Sequence, residues 1–205
     1  MRILFFLFLS FFVFSDDHDE MYTEAYGDYL YCSAKEGLSD SKAEKMFEKW
    51  AEAYQEKANS LDDNVSSVML WPFYTNEEMR GGEEMFFVTH APTMKEMGEF
   101  QVAMWNMMND DKSFPESPME CKDSSVAFQR IGPSTGDPEN PWNFFTVDYW
   151  PCKYTENADP VALRTAHAEI AKEHYANGAE GGYRYIYPGA GSPRGEGPDF
   201  WVSAA

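Results

Sequence analysis

The sequence predicts an α+β fold in which one β-α-β-β-α-β unit occurs twice, the second copy lacking its last helix and strand. Three observations predict it. Asp28-Tyr29-Leu30-Tyr31-Cys32 recurs as Asp148-Tyr149-Trp150-Pro151-Cys152, 120 residues later. Seven residues after each cysteine stands a helix start, Ser39-Asp40 in one copy and Asp159-Pro160 in the other. Each helix then leads to a strand ending in aromatic-proline, Trp71-Pro72 and Tyr187-Pro188, at an offset of 116. Repetition at a nearly fixed spacing marks a duplicated structural unit.

The chain opens on a segment outside that pattern. Met1-Arg2 precedes an apolar run from Ile3 to Phe14, then Ser15 and the acidic run Asp16 to Glu20. One positive charge, an apolar run of about 12 residues and a small residue before a polar stretch describe a secretory signal peptide. The run is shorter than the roughly 20 residues that span a bilayer. Val13 and Ser15 suit a cleavage site, so residues 1–15 read as an export signal and 16–26 as an acidic leader. Cleavage after Ser15 would expose Asp16-Asp17-His18, whose amine and imidazole can wrap a square-planar copper or nickel ion; a flexible leader accounts for the same residues.

The first unit occupies 27–132. Its first strand is aromatic-rich, as half-buried strands are. The helix behind it places Ala43, Met46, Phe47, Trp50, Ala51, Tyr54, Ala58 and Leu61 on one face at the 3.6-residue period. Val68 to Pro72 form the next strand, Gly81-Gly82 a turn, and Phe86 to Ala91 the third strand. Pro92-Thr93 open a second helix through Met97, Phe100, Met104 and Met107-Met108. Ser125 to Ile131 close the unit, and residues 133–141, rich in proline and glycine, link the copies. The second unit, 142–205, maps at the same offset of 120 onto the face Leu163, Ala166, His167, Ile170, Ala171, His174. It continues with Arg184 to Pro188, a Gly-rich hairpin and a strand from Phe200 to Ala205. Either the protein is built without that last helix and strand or the chain is a fragment, and a strand ending on the final residue favours a fragment.

β-α-β-β-α-β is the ferredoxin-like order, an antiparallel sheet with both helices on one face. Two such sheets can pack their open faces together. On the two Asp-Tyr-x-x-Cys strands, the amphipathic helices behind them, the aromatic-proline strand ends and Glu120-Cys121-Lys122-Asp123-Ser124-Ser125, the chain resembles the dimeric α/β-barrel superfamily, which includes the antibiotic-biosynthesis monooxygenases. It would be a tandem single-chain form, a pseudo-dimer in which duplication replaces homodimerisation, and it is similar to small exported bacterial proteins of unknown function. The ferredoxin-like order makes the first and fourth strands neighbours, so Cys32–Cys121 is the expected disulfide; three free buried thiols are the alternative. Cys152 would then pair with a residue in the part of the second copy that is missing after Ala205.

Composition excludes some partners. Thirty-five acidic against 16 basic side chains give a net charge of −19, and removing Arg2 with the signal peptide takes it to −20. Such a surface repels phosphate backbones and anionic membranes, so no nucleic acid and no membrane after signal cleavage are expected. At 43% hydrophobic and 17% aromatic, the chain has a core to bury. Export implies a periplasmic or secreted protein.

Chemistry is sparse. His167 and His174, seven apart on one helix, stand at offset 120 where the first copy has Phe47 and Tyr54. Imidazoles there could form a polar pocket, a haem or metal ligand, or an acid/base; a hydrogen-bonded or half-solvated place on the helix flank is the plainer expectation. Tyr29 and Tyr149 are the polar groups expected across the sheet. His90, ending a third strand, could face a barrel mouth or be structural. Trp50, Trp71, Phe73, Trp105, Trp150, Tyr185 and Trp201 line either an apolar ligand cavity or an ordinary core. The Gly189–Gly195 run lacks the Gly-Lys-Ser/Thr ending of a phosphate loop, and no nucleophile elbow occurs. Two readings remain: an exported barrel that binds a small apolar or aromatic molecule or a protein partner, with no cofactor expected; or, as the resemblance implies, a monooxygenase-like or haem-handling enzyme working between sheet and helices. His167, His174, Tyr29, Tyr149, Trp71 and Trp50 are the candidate ligand residues for both.

Overall fold

The computed structural model describes residues 21–38, 40–61, 64–71, 85–135, 146–190 and 197–205. The expected signal peptide, the Asp16-Asp17-His18 motif, Phe73, the Gly81-Gly82 turn and linker residues 136–141 lie outside them. In chain order the elements are β1 (Thr23–Ala34), α1 (Asp40–Asn59), β2 (Ser66–Leu70), β3 (Met85–Ala91), α2 (Met94–Asp110), β4 (Met119–Ser134), β5 (Asp148–Cys152), α3 (Pro160–Ala176), β6 (Gly182–Pro188) and β7 (Phe200–Ala204). The fold is α+β: one antiparallel sheet and three helices among the described residues.

The sheet order is β2-β3-β1-β4-β6-β7-β5. Its first four strands stand in the ferredoxin-like order, and β6-β7-β5 repeats the β2-β3-β1 part of it. Rather than stacking two separate sheets, the chain joins its halves edge to edge through β4 and β6, from Ala127 opposite Pro188 to Ile131 opposite Arg184. β4 is therefore longer than Ser125–Ile131. It begins at Met119 because a register shift near Lys122 sets Cys121 opposite Cys32, and the two form a disulfide. It ends at Ser134, past the expected boundary at 132. β1 likewise starts at Thr23, inside the expected leader, preceded by the buried Tyr22.

Alternation along the strands sends one set of residues to the helices and the other to the opposite face. Trp50 and Tyr54 of α1, stacked at 4.9 Å, pack on Phe87 of β3, while Met97, Phe100 and Met104 of α2 cover the same layer. Thr93 caps α2: its Oγ1 accepts from Glu96 N at 3.1 Å, satisfying a helix-end donor, and donates to the Glu96 carboxylate at 2.6 Å. A second cluster under α3 gathers Tyr22, Ala168, Ala171, Tyr183, Tyr185 and Phe200. Asp159 starts α3, its carboxylate accepting from the backbone of Val161 and Ala162, with Pro160 in the first turn.

The buried face of α3 differs from the expected one. Arg164, Ala168 and Ala171 are buried, whereas Leu163, Ala166, Ile170 and His174 are exposed. The first helix buries Trp50, Tyr54 and Ala58 but leaves Ala51 and Leu61 exposed. Matched by burial, the helices correspond at an offset of 121: Trp50 with Ala171, Tyr54 with Tyr175. One extra residue between strand and helix turns a helical face by 100°, which places His167 and His174 beside the core stripe. Of the expected tryptophan set, Trp50 is buried and Trp201 half-buried, but Trp71, Trp105 and Trp150 are exposed. No helix of the described residues is long and apolar enough to cross a membrane.

Candidate functional site

The strongest cluster of chemistry lies between α3 and β6. β6 reads Gly-Tyr-Arg-Tyr-Ile-Tyr-Pro, and its alternation points Tyr183, Tyr185 and Tyr187 at the helix while Arg184 and Ile186 face away. Tyr183 can lie flat there because β4 supplies Gly132, and a β-carbon at that position would stand 2.4 Å from the ring. His167 stacks on Tyr183 with ring centres 4.2 Å apart, and its Nδ1 hydrogen-bonds the Tyr185 hydroxyl at 3.0 Å. That bond leaves Nε2 as the nitrogen open to a ligand. Burial lowers the His167 pKa, so the imidazole is neutral at neutral pH.

Phenols crowd around this pair. The hydroxyls of Tyr22 and Tyr183 are 2.8 Å apart, and Tyr22 also donates to the Arg164 carbonyl at 2.7 Å. Burial pushes Tyr183 up to about 12 and raises Tyr22, Tyr154 and Tyr185 further, against the pull of the buried Arg164 guanidinium on the last three. All four stay protonated and serve as hydrogen-bond donors.

Beside the cluster lies an open cavity of about 300 Å³, lined by His167, Ile170, His174, Tyr175, Glu180 and Tyr183 and bordered by Ala204-Ala205. It is largely apolar with a few polar groups, as small-molecule sites are. A larger hollow of about 660 Å³ on the outer face of α2 is lined by Met94, Gly98 and Val102 with the charged pair Lys95 and Glu99, and holds no imidazole or phenol.

The opposite face of the sheet carries a separate polar group. Tyr29 of β1, His90 of β3, Gln129 of β4, Arg184 of β6 and Tyr149 of β5 project from it. Gly27 of β1 lets Gln129 lie across the strand, since a β-carbon there would meet Gln129 Nε2. Arg184 of β6 reaches His90 of β3, three places away in the sheet, at 2.8 Å, so the side chains of this face converge and the face is cupped.

No protein-family model matches the chain, and no curated protein matches it. Solved structures resemble it in part. A protein classed as a chlorite dismutase is 15% identical, with a TM-score of 0.46, over 89% of this chain and 79% of its own. Chlorite dismutase from Candidatus Nitrospira defluvii, in complex with imidazole, is 12% identical, with a TM-score of 0.45, over 88% of this chain and 75% of its own.

The structure divides the expected ligand residues among separate places. His167 and His174 line one cavity, His167 half-buried and His174 on its rim. Tyr29 and Tyr149 lie on the other side of the sheet and cannot complete that cavity. Trp50 is core, and Trp71 is exposed, edge-on to Phe47. Among the described residues no group of three or more metal-ligating side chains occurs. Sequence reasoning gave no role to Gln129 or to Arg184. The available signal was a lone cation inside an aromatic strand, Tyr183-Arg184-Tyr185.

Proposed function

We propose that this chain is an exported binding protein that takes a small aromatic molecule into the cavity between α3 and β6. One observation carries the reading: His167, stacked on Tyr183 and hydrogen-bonded through Nδ1 to Tyr185, lines a largely apolar cavity of about 300 Å³. That volume is at the floor of the range for small-molecule sites, about 300–1,000 Å³, and suits a molecule of one or two rings. The Cys32–Cys121 disulfide and the apolar leader support export, because disulfides persist in oxidising compartments.

Indole, titrated into the mature protein and followed by NMR, is the direct test. Saturable shifts centred on His167 and Tyr183 are expected. Ile170→Arg, at an exposed position on the cavity wall, should weaken binding at least tenfold without loss of fold. Absence of saturable shifts, or equal affinity in Ile170→Arg, overturns the reading.

Haem is the competing occupant. Two imidazoles on one helix offer ligand chemistry, but this cavity is too small to enclose a tetrapyrrole. A Soret shift on adding haem, lost in both His167→Ala and His174→Ala, would replace the small-aromatic reading with haem handling.

A further inference from the structure

The face opposite the helices holds a charge, Arg184, that no carboxylate among the described residues pairs with. Arg184 donates from Nη1 to His90 Nε2 at 2.8 Å and to Gln129 Oε1 at 3.1 Å, and both acceptors are neutral. An arginine only donates, so His90 offers its Nε2 lone pair and carries its proton on Nδ1. Burial and the adjacent guanidinium keep it neutral, with its pKa lowered to about 3. Among the described residues Arg184 forms no ion pair. Buried or half-buried charges are normally paired. Both bonds leave from Nη1, so the hydrogens on Nη2 and Nε find no acceptor among the described residues.

Two phenols complete the arrangement. Gln129 Nε2 donates to the Tyr29 hydroxyl at 2.8 Å, so that oxygen accepts, and its own hydrogen has no acceptor among the described residues. Burial raises both Tyr29 and Tyr149, and Arg184 acts on each, which places both phenols in its field as protonated donors. Phe86, Tyr31 and Trp201 share the face and supply apolar walls.

The geometry points to a binding site for a small aromatic carboxylate on the concave face, with Arg184 gripping the carboxylate through two N–H groups and Tyr29 and Tyr149 donating to it. A guanidinium fork matches a carboxylate in shape and charge. This site is distinct from the cavity under α3 and does not depend on it.

Benzoate and its uncharged isostere benzamide are the probes, titrated into the mature protein by calorimetry and NMR. Benzoate is expected to bind saturably and benzamide at least tenfold more weakly. Arg184→Gln should lower benzoate affinity at least tenfold, and Tyr149→Phe, at an exposed edge strand, several-fold; the second variant decides should the first fail to fold. Ile170→Arg, which blocks the other cavity, should leave benzoate binding unchanged. Equal binding of the two probes, no saturable binding of benzoate, unchanged affinity in both variants, or loss of binding in Ile170→Arg each overturns the assignment.

Discussion

The ring of Tyr183 lies where a side chain at position 132 would have to be. A β-carbon on Gly132 would stand 2.4 Å from Tyr183 Cζ and under 3 Å from two more ring atoms, so the strand β4 and the phenol of β6 depend on each other. His167 in turn rests on that ring. Gly132→Ala must push Tyr183 outward, and overpacking of this kind costs about 1–3 kcal/mol. For a chain of this length that is a fall in melting temperature of about 2–4 °C per kcal/mol. Indole binding should fall with it. Wild-type melting and wild-type indole affinity in Gly132→Ala would show that the ring is not held this way.

The Cys32–Cys121 bridge closes a long loop, 89 residues apart in sequence. On the chain-entropy account such a loop constrains the unfolded state by about 4–5 kcal/mol. Replacing both cysteines with serine should lower stability toward that figure, read from the denaturant midpoint at an unchanged slope. Intact mass of the oxidised protein should show two hydrogens lost and one thiol, Cys152, open to alkylation. Three reactive thiols would count against the bridge.

Much of this architecture is written locally. Asp159-Pro160 and Pro92-Thr93 announce helix starts because capping chemistry is a matter of a few adjacent residues. Aromatic alternation announces β1, β3 and β6 in the same way. The disulfide was readable because the ferredoxin-like order brings the first and fourth strands side by side. What joins the halves was not readable, since the pairing of β4 with β6 depends on which edges are left free after each unit forms. His90, Gln129 and Arg184 show the same limit. Alternation assigns each to a face of its strand, but only the cupping of the sheet brings three distant strands within hydrogen-bond reach. His167 stood out by its residue type, yet its neighbour Tyr183 could not be inferred without Gly132 across the β4–β6 pair.

Acid should loosen the fold through His90. Its folded pKa is lowered to about 3 from an ordinary 6.5, by burial first and by Arg184 second. The unfolded chain therefore binds the proton more readily across that interval, and stability falls as pH drops from about 6.5 toward 3. Each unit of separation contributes about 1.4 kcal/mol. The groups facing His90 are Arg184, whose charge repels an imidazolium, and the ring of Tyr29, which stays neutral here. His167, also lowered by burial, adds a slope of the same sign. His90→Gln, which keeps an acceptor for Arg184, should flatten the pH dependence of the denaturation midpoint between pH 6.5 and 4. An unchanged slope in that variant would show that His90 is not the titrating group.

The register of α3 can be tested by packing alone. At an offset of 120 from the first helix, Leu163 would be a core residue and Ala168 would sit off the stripe. The structure reverses this: Ala168 is fully buried between helix and sheet, and Leu163 is 43% exposed. Ala168→Leu should therefore cost about 1–3 kcal/mol, because added methylenes have nowhere to go in a filled core. Leu163→Ala should cost no more than about 0.5 kcal/mol, as exposed substitutions do. Thermal melts of the two variants separate the registers cleanly, since the face that buries Leu163 predicts a loss of about 2–5 kcal/mol for its truncation. His167 follows from the same choice. With Ala168 and Ala171 inward, its ring reaches Tyr183 and Tyr185 from the flank of the helix, the position from which it can meet both a phenol and a ligand.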